Sequence, residues 1–329
     1  MRFGTALPCI TPIGTPKWSN SQVVDGIEAV AKRADDLGYD WVTCCDHPVI
    51  PAESASFMGT RWFDPIATLG YAAGITTRVK LLTSVIILPY RSPFDIAKSM
   101  GTIDSLSGGR VIFGVGVGHL QREFEALKAN YAERGAVTDE YIQVIKALWS
   151  TDVASYHGKY WDFTDMMVAP RPAQQPHPPF WVGGNTKLAV RRSALLGEAW
   201  YPFSITPEEY RVKADYAREV AAKAGRKTPL EMVAPLAPVE PAAVAPPTGP
   251  AAAPAYKAKP GEKVPYYVKA SGTPVASPSL TTADQVCESI RRYRDAGATA
   301  VNVHFRYREL SPLLEALEWF AREVVPQFP

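Results

Sequence analysis

Hydrophobic residues along this chain alternate between two spacings. Short apolar runs, rich in β-branched and aromatic residues, are followed by longer segments in which apolar residues recur at helical intervals. Residues 81–88 form a nearly continuous apolar run, as expected for a parallel strand that is buried on both faces. The predicted strands cover residues 3–7, 41–45, 81–88, 111–115, 180–182, 199–201, 230–234 and 300–305.

The longer segments carry the start and stop signals of helices. Between residues 21 and 37, Val23, Ile27, Val30 and Ala34 share one face, and Gly38 follows as a C-cap glycine. Each predicted strand is followed by such a helix. The predicted helices cover residues 21–37, 64–75, 93–106, 138–149, 186–196, 282–296 and 311–325, and another begins near residue 206.

The strict alternation of strands and helices predicts an α/β fold. Eight strand–helix pairs favour a (β/α)8 or TIM barrel, which would form a single domain over residues 1–329. The strands at 199–201 and 230–234 carry only a weak strand pattern, so an open, doubly wound sheet stays an alternative.

Two segments interrupt the alternation. Residues 154–175 are rich in aromatic residues and proline, which favours a small extended excursion. Residues 235–279 are dense in proline and alanine, a composition typical of a flexible linker. However, the helix, strand and helix that follow are the elements that the barrel still lacks, so we interpret this segment as an insertion after the seventh strand. Such a loop lies over the carboxyl face of a barrel, either as a lid or as an idle tether.

The composition narrows the classes of function. A net charge of +2 gives no general attraction to phosphate backbones or acidic membranes, so we expect neither nucleic acid nor membrane as a partner. No apolar run approaches the roughly 18 residues that a membrane span needs, and the N-terminal residues 1–8 fit a strand better than a signal peptide. Four cysteines are too few for a disulfide scaffold. Together these features predict a cytoplasmic protein.

Candidate chemistry gathers at the carboxyl ends of the predicted strands, where barrels hold their functional residues. Three of the five histidines, His47, His119 and His304, stand at such ends. The other candidates at these positions are Cys9, Asp46, Ser84, Val85, Gly116, Gly118, Gly183, Gly184, Asn185, Trp200 and Asn302.

Asp46 and His47 follow the second predicted strand and form the sharpest candidate pair. A histidine side chain passes protons near neutral pH, and an adjacent carboxylate can orient it or make it more basic. A structural role, in which His47 bonds a loop carbonyl and Asp46 caps a turn, is equally compatible with the pattern. The chain has no His-x-His on its first strand and no Cys-x-x-Cys, so we predict no metal site.

Two glycine-rich turns form the second set of candidates. Gly183 and Gly184 lie between a strand and a helix, where bare backbone and free N–H groups can receive a phosphate. Any tight strand–helix connection can also favour glycine. Gly114, Gly116 and Gly118 are spaced like a nicotinamide-binding signature, but no ribose-binding acid follows in a βαβ unit, so we do not assign that function.

Several longer motifs resemble the luciferase-like monooxygenase superfamily. They are residues 176–184 (PHPPFWVGG), 189–200 (AVRRSALLGEAW), 107–110 (SGGR) leading into 113–116 (FGVG), and 88–91 (LPYR). The resemblance covers residues 1–235 well and 280–329 loosely, and the proline-rich insertion has no counterpart in it.

Members of this superfamily use either reduced flavin mononucleotide (FMN) with oxygen or the deazaflavin coenzyme F420 as a hydride carrier. The Asp46-His47 pair and the opening residues 2–8 are similar to the deazaflavin branch. The resemblance therefore implies an F420-dependent oxidoreductase that transfers a hydride to or from its substrate. The aromatic residues of segment 154–163 and the apolar insertion favour a small, mostly uncharged organic substrate. The resemblance further implies that His47 handles the proton, while Asp46 orients it or contacts the edge of the cofactor ring.

The resemblance also assigns places in the site. The bond between Ser84 and Val85 is implied to be a cis peptide that presses on the back of the cofactor ring. His119 stands where the sugar-phosphate dehydrogenases of this branch often have a carboxylate, so a phosphorylated sugar substrate is not expected. Implied cofactor contacts are Asp46, Ser84, Val85, Gly116, Val117, Gly118, His119, Val182, Gly183, Gly184 and Asn185, and the implied substrate pocket holds Cys9, Trp200 and His304.

Two other functions are compatible with the sequence. The first is a two-component monooxygenase that uses reduced FMN and oxygen and receives its flavin from a partner reductase. The second is a flavin-binding protein without catalytic activity. An F420-dependent enzyme would likewise need a reductase if its cofactor arrives reduced, and the resemblance implies a homodimer built through the helices at 64–75 and 93–106.

Overall fold

The computed structural model describes residues 1–9, 18–245 and 279–329. Within these ranges, parallel strands form a closed barrel and helices pack around its outside. The strands are β1 (Arg2–Ala6), β2 (Trp41–Cys44), β3 (Lys80–Thr83), β4 (Ile86–Ile87), β5 (Val111–Gly116), β6 (Ala154–His157), β7 (Asp162–Met166), β8 (Phe180–Gly183), β9 (Ala199–Tyr201), β10 (Glu231–Pro235) and β11 (Ala300–Val303).

The barrel closes because its first and last neighbours pair with each other. Following the hydrogen bonds, the strand order is β3, β2, β1, β11, β10, β9, β8, β5, and β3 also pairs with β5. The short strand β9 pairs on both sides, Ala199 with Trp181 of β8 and Trp200 with Met232 of β10. The predicted α/β TIM barrel is therefore confirmed, and the open sheet is excluded.

Two strands share the third position of the barrel. The run predicted as a single strand, 81–88, is interrupted at Ser84 and Val85, whose peptide bond is cis as the resemblance implied. β4 resumes after the interruption and pairs with β5, and a 3-10 turn, Leu88–Tyr90, follows it. Val85 thereby lies beside Gly116 and Gly183, at the carboxyl ends of β5 and β8.

The helices begin and end at capping residues. They are α1 (Asn20–Leu37), α2 (Ala55–Met58), α3 (Pro65–Ile75), α4 (Pro93–Leu106), α5 (Gln121–Ala126), α6 (Arg134–Ser150), α7 (Lys187–Leu196), α8 (Pro207–Lys223), α9 (Ala283–Asp295) and α10 (Leu310–Glu323). Ser19 and Gln22 form a capping box at the start of α1, and Gly38 ends it in the left-handed conformation. None of the helices in the described ranges is long and apolar enough to cross a membrane.

Two apolar layers fill the barrel and the space under its helices. The outer layer lies between strands and helices and includes Val42 and Cys44 of β2. In the inner layer, Trp41 packs edge-on against Trp181 with ring centroids 5.0 Å apart, and only a glycine at position 4 leaves room for its ring. The inner layer consists of Trp41, Leu82, Ile112, Trp181, Ala199, Tyr201, Val233 and Ala300.

The aromatic segment after α6 is an antiparallel hairpin of β6 and β7. The buried carboxylate of Glu140 on α6 holds its turn by accepting from the N–H groups of Lys159, Tyr160 and Trp161, at 3.0, 2.8 and 2.7 Å. The extended excursion predicted for residues 154–175 is therefore confirmed in its β-structure.

The insertion predicted at 235–279 is described only at its two ends. Val239 forms bridges with Leu280 and Phe305, and the N–H of Ala242 donates to Thr281 at 3.0 Å. The chain thus leaves and rejoins the barrel at neighbouring points beside β11. Whether the segment acts as a lid or a tether depends on residues 246–278, which lie outside the described ranges.

Candidate active site

Side chains along β2 alternate between the two apolar layers. Trp41 belongs to the inner layer, whereas Val42 and Cys44 belong to the outer layer. If this alternation continues beyond the end of the strand, the His47 side chain points to the inner layer and the Asp46 side chain points to the outer layer. These two side chains are adjacent in sequence but meet different partners.

His47 is held by a buried carboxylate from another part of the chain. Its Nδ1 lies 3.0 Å from Oε2 of Glu123 on α5, whose side chain is fully buried. The same carboxylate accepts from the Tyr90 hydroxyl at 2.8 Å and from the Val49 N–H at 3.4 Å. Because an ionised carboxylate only accepts hydrogen bonds, Nδ1 of His47 carries a hydrogen and donates it. Nε2 is therefore the nitrogen that can exchange a proton.

Asp46 does not orient His47, which corrects the interpretation drawn from the sequence. Its carboxylate receives two bonds from the Arg91 guanidinium, at 2.6 and 2.9 Å, and one from the Ile87 N–H at 3.0 Å. Burial alone would lower the pKa of Arg91, but the paired Asp46 outweighs it and raises that pKa. Neighbouring side chains of an extended chain leave on opposite sides, so Asp46 joins β2 to β4 instead.

Two more rings stand against His47. The Trp62 ring centroid lies 4.5 Å from that of His47, and the His119 centroid lies 5.8 Å from it, both edge to face. Burial, reinforced by His47 and Arg134, lowers the pKa of His119 to about 4, so this imidazole is neutral at physiological pH. The three rings form an aromatic wall, in which His119 and Trp62 are neutral.

Glycine residues, which have no side chain, lie next to Val85. A Cβ atom on Gly116 would come within 2.6 Å of the Val85 side chain, and one on Gly183 within 3.2 Å. Gly118 has a φ of 75°, and a Cβ there would overlap two neighbouring side chains, so only glycine fits. Val117, between Gly116 at the end of β5 and Gly118, is half-buried.

Polar groups near Val85 belong to a cluster inside the barrel. The hydroxyl groups of Ser84 and Tyr201 lie 3.0 Å apart, and Ser84 also bonds the Cys45 thiol. Burial raises the pKa values of Cys45 and Tyr201 well above neutral, so both keep their protons. This cluster therefore offers neutral hydrogen-bonding groups.

Two of the three predicted pocket residues lie outside the barrel interior, which corrects their assignment. Trp200 is fully buried in the outer layer, where its ring packs on Tyr210 and its Nε1 donates to the Gly184 carbonyl at 2.9 Å. Cys9 is also buried in that layer. In β9 the alternation of side chains sends Tyr201 inward, so Trp200 faces the helices.

The third predicted pocket residue, His304, continues the inner row of β11. Nε1 of Trp41 donates to Oδ1 of Asn302 at 2.9 Å, and Nδ2 of Asn302 lies 3.0 Å from Nε2 of His304. The Trp41 bond fixes the direction of the amide, so Nδ2 must donate and Nε2 of His304 must lack a hydrogen. Burial accordingly lowers the pKa of His304 to about 4.

The turn from β8 into α7 can receive an anion. Gly184 has a φ of 119°, and the Thr186 side chain caps α7 by accepting from the Ala189 N–H. Earlier amide groups of this first turn have no partner within the helix, and they stand at the positive end of its dipole. Asn185 bonds both backbone groups of Phe203, so its side chain fixes the neighbouring loop. Val182 is buried in the outer layer and adjoins the turn through its backbone.

Four side chains of the site do not follow from the sequence pattern: Tyr90, Glu123, Trp62 and Tyr201. Glu123 lies on α5, whose six residues are too few to show a helical period. Tyr90 belongs to the LPYR motif, which signalled the family but no chemical role. The described part of the chain contains no cluster of three or more His, Cys, Asp and Glu side chains that could bind a metal ion.

The chain is similar to known proteins over most of its length. The family model of the luciferase-like monooxygenases matches residues 1–244. Protein Rv0940c of Mycobacterium tuberculosis (strain ATCC 25618 / H37Rv) is 30% identical over 215 residues, which are 62% of this chain and 74% of that protein. The FMNH(2)-dependent dimethylsulfone monooxygenase of Pseudomonas putida is 29% identical over 153 residues, 46% of this chain and 42% of the enzyme.

Solved structures share the whole fold. Monooxygenase RslO1 from Streptomyces bottropensis aligns over 100% of both chains with a TM-score of 0.78 and 21% identity. An F420-dependent secondary alcohol dehydrogenase, in complex with an F420-acetone adduct, aligns over 100% of this chain and 99% of its own with a TM-score of 0.74 and 18% identity. At these identities the likeness shows the fold alone.

Proposed function

The chain belongs to the luciferase-like monooxygenase family, and we propose that it is an F420-dependent oxidoreductase of that family. In this proposal a hydride moves between the deazaflavin and a small, mostly uncharged organic substrate, while His47 exchanges the accompanying proton. The observation that carries the proposal is the hydrogen bond between His47 and the buried Glu123.

The residues at the carboxyl ends of the strands fit a ring system that bears a phosphate chain. Val85 packs against the backbone of Gly116 and Gly183, where no side chain blocks a flat ring. The start of α7 offers backbone amide groups and the positive end of the helix dipole to a phosphate. When bound, F420 supplies or accepts the hydride. In our proposal the ring and its chain contact Ser84, Val85, Gly116, Val117, Gly118 and His119, and the phosphate contacts the backbone of Val182, Gly183, Gly184 and Asn185.

In this proposal His47 exchanges the proton at Nε2. Glu123 fixes the tautomer by accepting from Nδ1, and its negative charge stabilises the ring when Nε2 becomes protonated. Trp62 and His119 pack against the ring, and the His47 side chain is only 11% exposed. This shielding favours proton transfer to the substrate over transfer to bulk water.

The side chains around His47 favour an uncharged substrate. His119 and His304 are neutral because burial lowers the pKa of each to about 4. Cys45 and Tyr201 are neutral because burial raises their pKa values. A charged substrate would lose its hydration here without gaining an opposite charge from these four groups, so its binding would be costly.

A second candidate function is a two-component monooxygenase that uses reduced FMN and oxygen. The similarity to the FMNH(2)-dependent dimethylsulfone monooxygenase supports it. The same glycine turns and the same start of α7 would serve FMN, because FMN also carries a flat ring and a phosphate. This enzyme would need a partner reductase to supply reduced flavin.

Cofactor titrations separate the two functions. The protein is titrated with F420 and with FMN, each oxidised and reduced, under nitrogen and in air, while cofactor fluorescence and oxygen consumption are followed. We expect saturable binding of F420 with no oxygen uptake. Selective binding of reduced FMN together with oxygen uptake would favour the monooxygenase, and failure of both cofactors to bind would refute both functions.

The same titration tests the role of His47. For His47→Ala we expect cofactor affinity to stay within about twofold of wild type while turnover falls by about 10²–10⁴-fold, the usual contribution of a general acid or base. Turnover close to that of the wild type would refute the proposal that His47 exchanges the proton.

A further inference from the structure

Trp62 carries a buried hydrogen-bond donor that the proposed mechanism does not use. Its indole Nε1 is shielded from solvent and finds no acceptor among the residues that the structure describes. An indole N–H can only donate, and tryptophan N–H groups that are buried usually have a partner. An unsatisfied buried donor is costly to keep, so a ligand is a reasonable source of the missing acceptor.

This donor belongs to the same wall as His47. The two ring centroids are 4.5 Å apart, which is closer than the 5.8 Å between His47 and His119. Of the two rings that pack against His47, the Trp62 ring is therefore the nearer.

The residues on both sides of Trp62 are held by hydrogen bonds. The Phe63 N–H donates to the Cys9 carbonyl at 3.1 Å, and the Cys44 thiol donates to the Phe63 carbonyl at 3.7 Å. On the other side, the Arg61 guanidinium bonds the carbonyl of Trp18. The indole is thus held beside His47 by hydrogen bonds of its two neighbours, a form of preorganisation that favours binding.

We infer that Trp62 binds the substrate, its Nε1 donating a hydrogen bond to the oxygen on which His47 acts. This inference rests on the proposed function and narrows its substrate class to molecules with an uncharged acceptor oxygen, such as ketones, aldehydes and the matching alcohols. The neutral imidazole of His119, which also packs against His47, agrees with an uncharged oxygen. Hydrocarbons without such an oxygen would leave the indole donor unpaired.

Indole N–H signals in a nitrogen–proton correlation spectrum test this directly. The chain has eight tryptophans, so protein labelled with ¹⁵N-tryptophan gives eight indole signals, and the signal missing from Trp62→Phe identifies Trp62. The labelled protein, saturated with whichever cofactor binds, is titrated with cyclohexanone and with methylenecyclohexane, which has the same shape but no oxygen. We expect the Trp62 signal to move downfield with the ketone and much less with the alkene.

Binding of the two probes to variants provides the second measurement. Phenylalanine keeps an aromatic ring beside His47 but removes the N–H, so Trp62→Phe should bind cyclohexanone about tenfold more weakly, the loss expected for one hydrogen bond. Its affinity for methylenecyclohexane should not change. Trp18→Phe is the matched control, because it removes an indole N–H that already donates to the Arg308 carbonyl at 3.0 Å.

The outcomes distinguish this inference from the proposed function. If neither F420 nor FMN binds, the proposed function fails and the inference fails with it. If a cofactor binds but the Trp62 signal stays in place with the ketone, or moves equally with both probes, only the inference is overturned. Equal affinity of wild type and Trp62→Phe for cyclohexanone would likewise overturn it.

Discussion

The orientation of His47 depends on Glu123, which lies 76 positions further along the chain. Glu123 is fully buried, and the donors from His47, Tyr90 and Val49 replace the water that its carboxylate loses. Hydrogen bonds to an ionised carboxylate are among the stronger ones in proteins. The imidazole is therefore held in one orientation and one tautomer by contacts within the protein.

Replacing Glu123 by glutamine tests this role. In Glu123→Gln the side chain keeps its size but loses the charge that stabilises protonated His47, so we expect kcat to fall by about ten- to a hundredfold, less than loss of the base itself. KM and cofactor affinity should stay unchanged. Steady-state kinetics and fluorescence titration provide the measurements.

Glu125→Gln is the matched control, since Glu125 lies on the same helix but is exposed, and it should behave as wild type. A rise in KM at constant kcat for Glu123→Gln would contradict the positioning role.

His304 makes stability depend on pH. Its pKa is lowered to about 4 from an ordinary value of 6.5, and His119 shows the same shift. As the pH falls below 6.5, the unfolded chain binds protons that the folded protein does not, so the free energy of unfolding decreases towards pH 4 and these groups cause no further loss below it. Urea unfolding at a series of pH values should show a shallower decrease for His304→Gln than for wild type. Parallel curves would contradict the prediction.

At the scale of elements, β4 is the part of the barrel that shapes the site. Asp46 at the end of β2 bonds both the Ile87 N–H of β4 and the guanidinium of Arg91, which follows it. This buried pair positions the strand that carries Val85 to the glycine backbones of β5 and β8. Asp46 thus affects the site through an element rather than by contact with His47.

The glycines next to Val85 give an element-scale prediction. In Gly116→Ala the new Cβ would lie 2.6 Å from Val85, so the side chain or the strand must shift. Overpacking of this kind costs about 1–3 kcal/mol, and we expect cofactor affinity to fall by roughly tenfold or more while the barrel still folds. Fluorescence titration and thermal unfolding measure the two effects.

Gly74→Ala on α3 is the control for Gly116→Ala. A Cβ there meets no atom within 4 Å, so cofactor affinity should not change. Wild-type affinity in Gly116→Ala would show that Val85 and the glycines do not form the cofactor surface.

At the scale of the whole molecule, the insertion leaves and returns at neighbouring points. Ala242 and Thr281 are joined by a hydrogen bond of 3.0 Å, so a linker of about six Gly and Ser residues could replace residues 246–278. Because the entropy of loop closure varies slowly with length, we expect the free energy of unfolding to change by no more than about 1 kcal/mol. If the chain is a single domain, the shortened protein should also unfold in one cooperative transition. Two separate transitions in the intact protein would contradict a single domain.

Activity of the shortened protein distinguishes a lid from a tether. A lid excludes water during the reaction, so its removal should lower kcat, whereas removal of a tether should leave kcat unchanged. The homodimer through α3 and α4 also stays a prediction, and light scattering of the purified protein would test it.

Much of the molecule could be predicted from local sequence. Hydrophobic spacing predicts seven of the eight barrel strand positions as single strands, and the family motifs indicated the cis bond at Ser84–Val85 that divides the remaining one. The positions of His47 and of both glycine turns also followed, because motifs at strand ends keep their place in a barrel. Helices α2 and α5 could not be predicted from the sequence, because a helix of one or two turns is too short to show a hydrophobic period.

Sequence alone determined the barrel and the family, and it predicted the face of the candidate site, since each depends on patterns within a few residues. Only the tertiary structure decided that Glu123, and not Asp46, orients His47, that Trp62 stands beside it, and that Tyr201 takes the inward place expected for Trp200. These side-chain positions depend on contacts between distant segments of the chain and on the side of the strand to which each side chain points. A shift of one position along a strand reverses that side, and hydrophobic spacing does not fix it where both faces are buried.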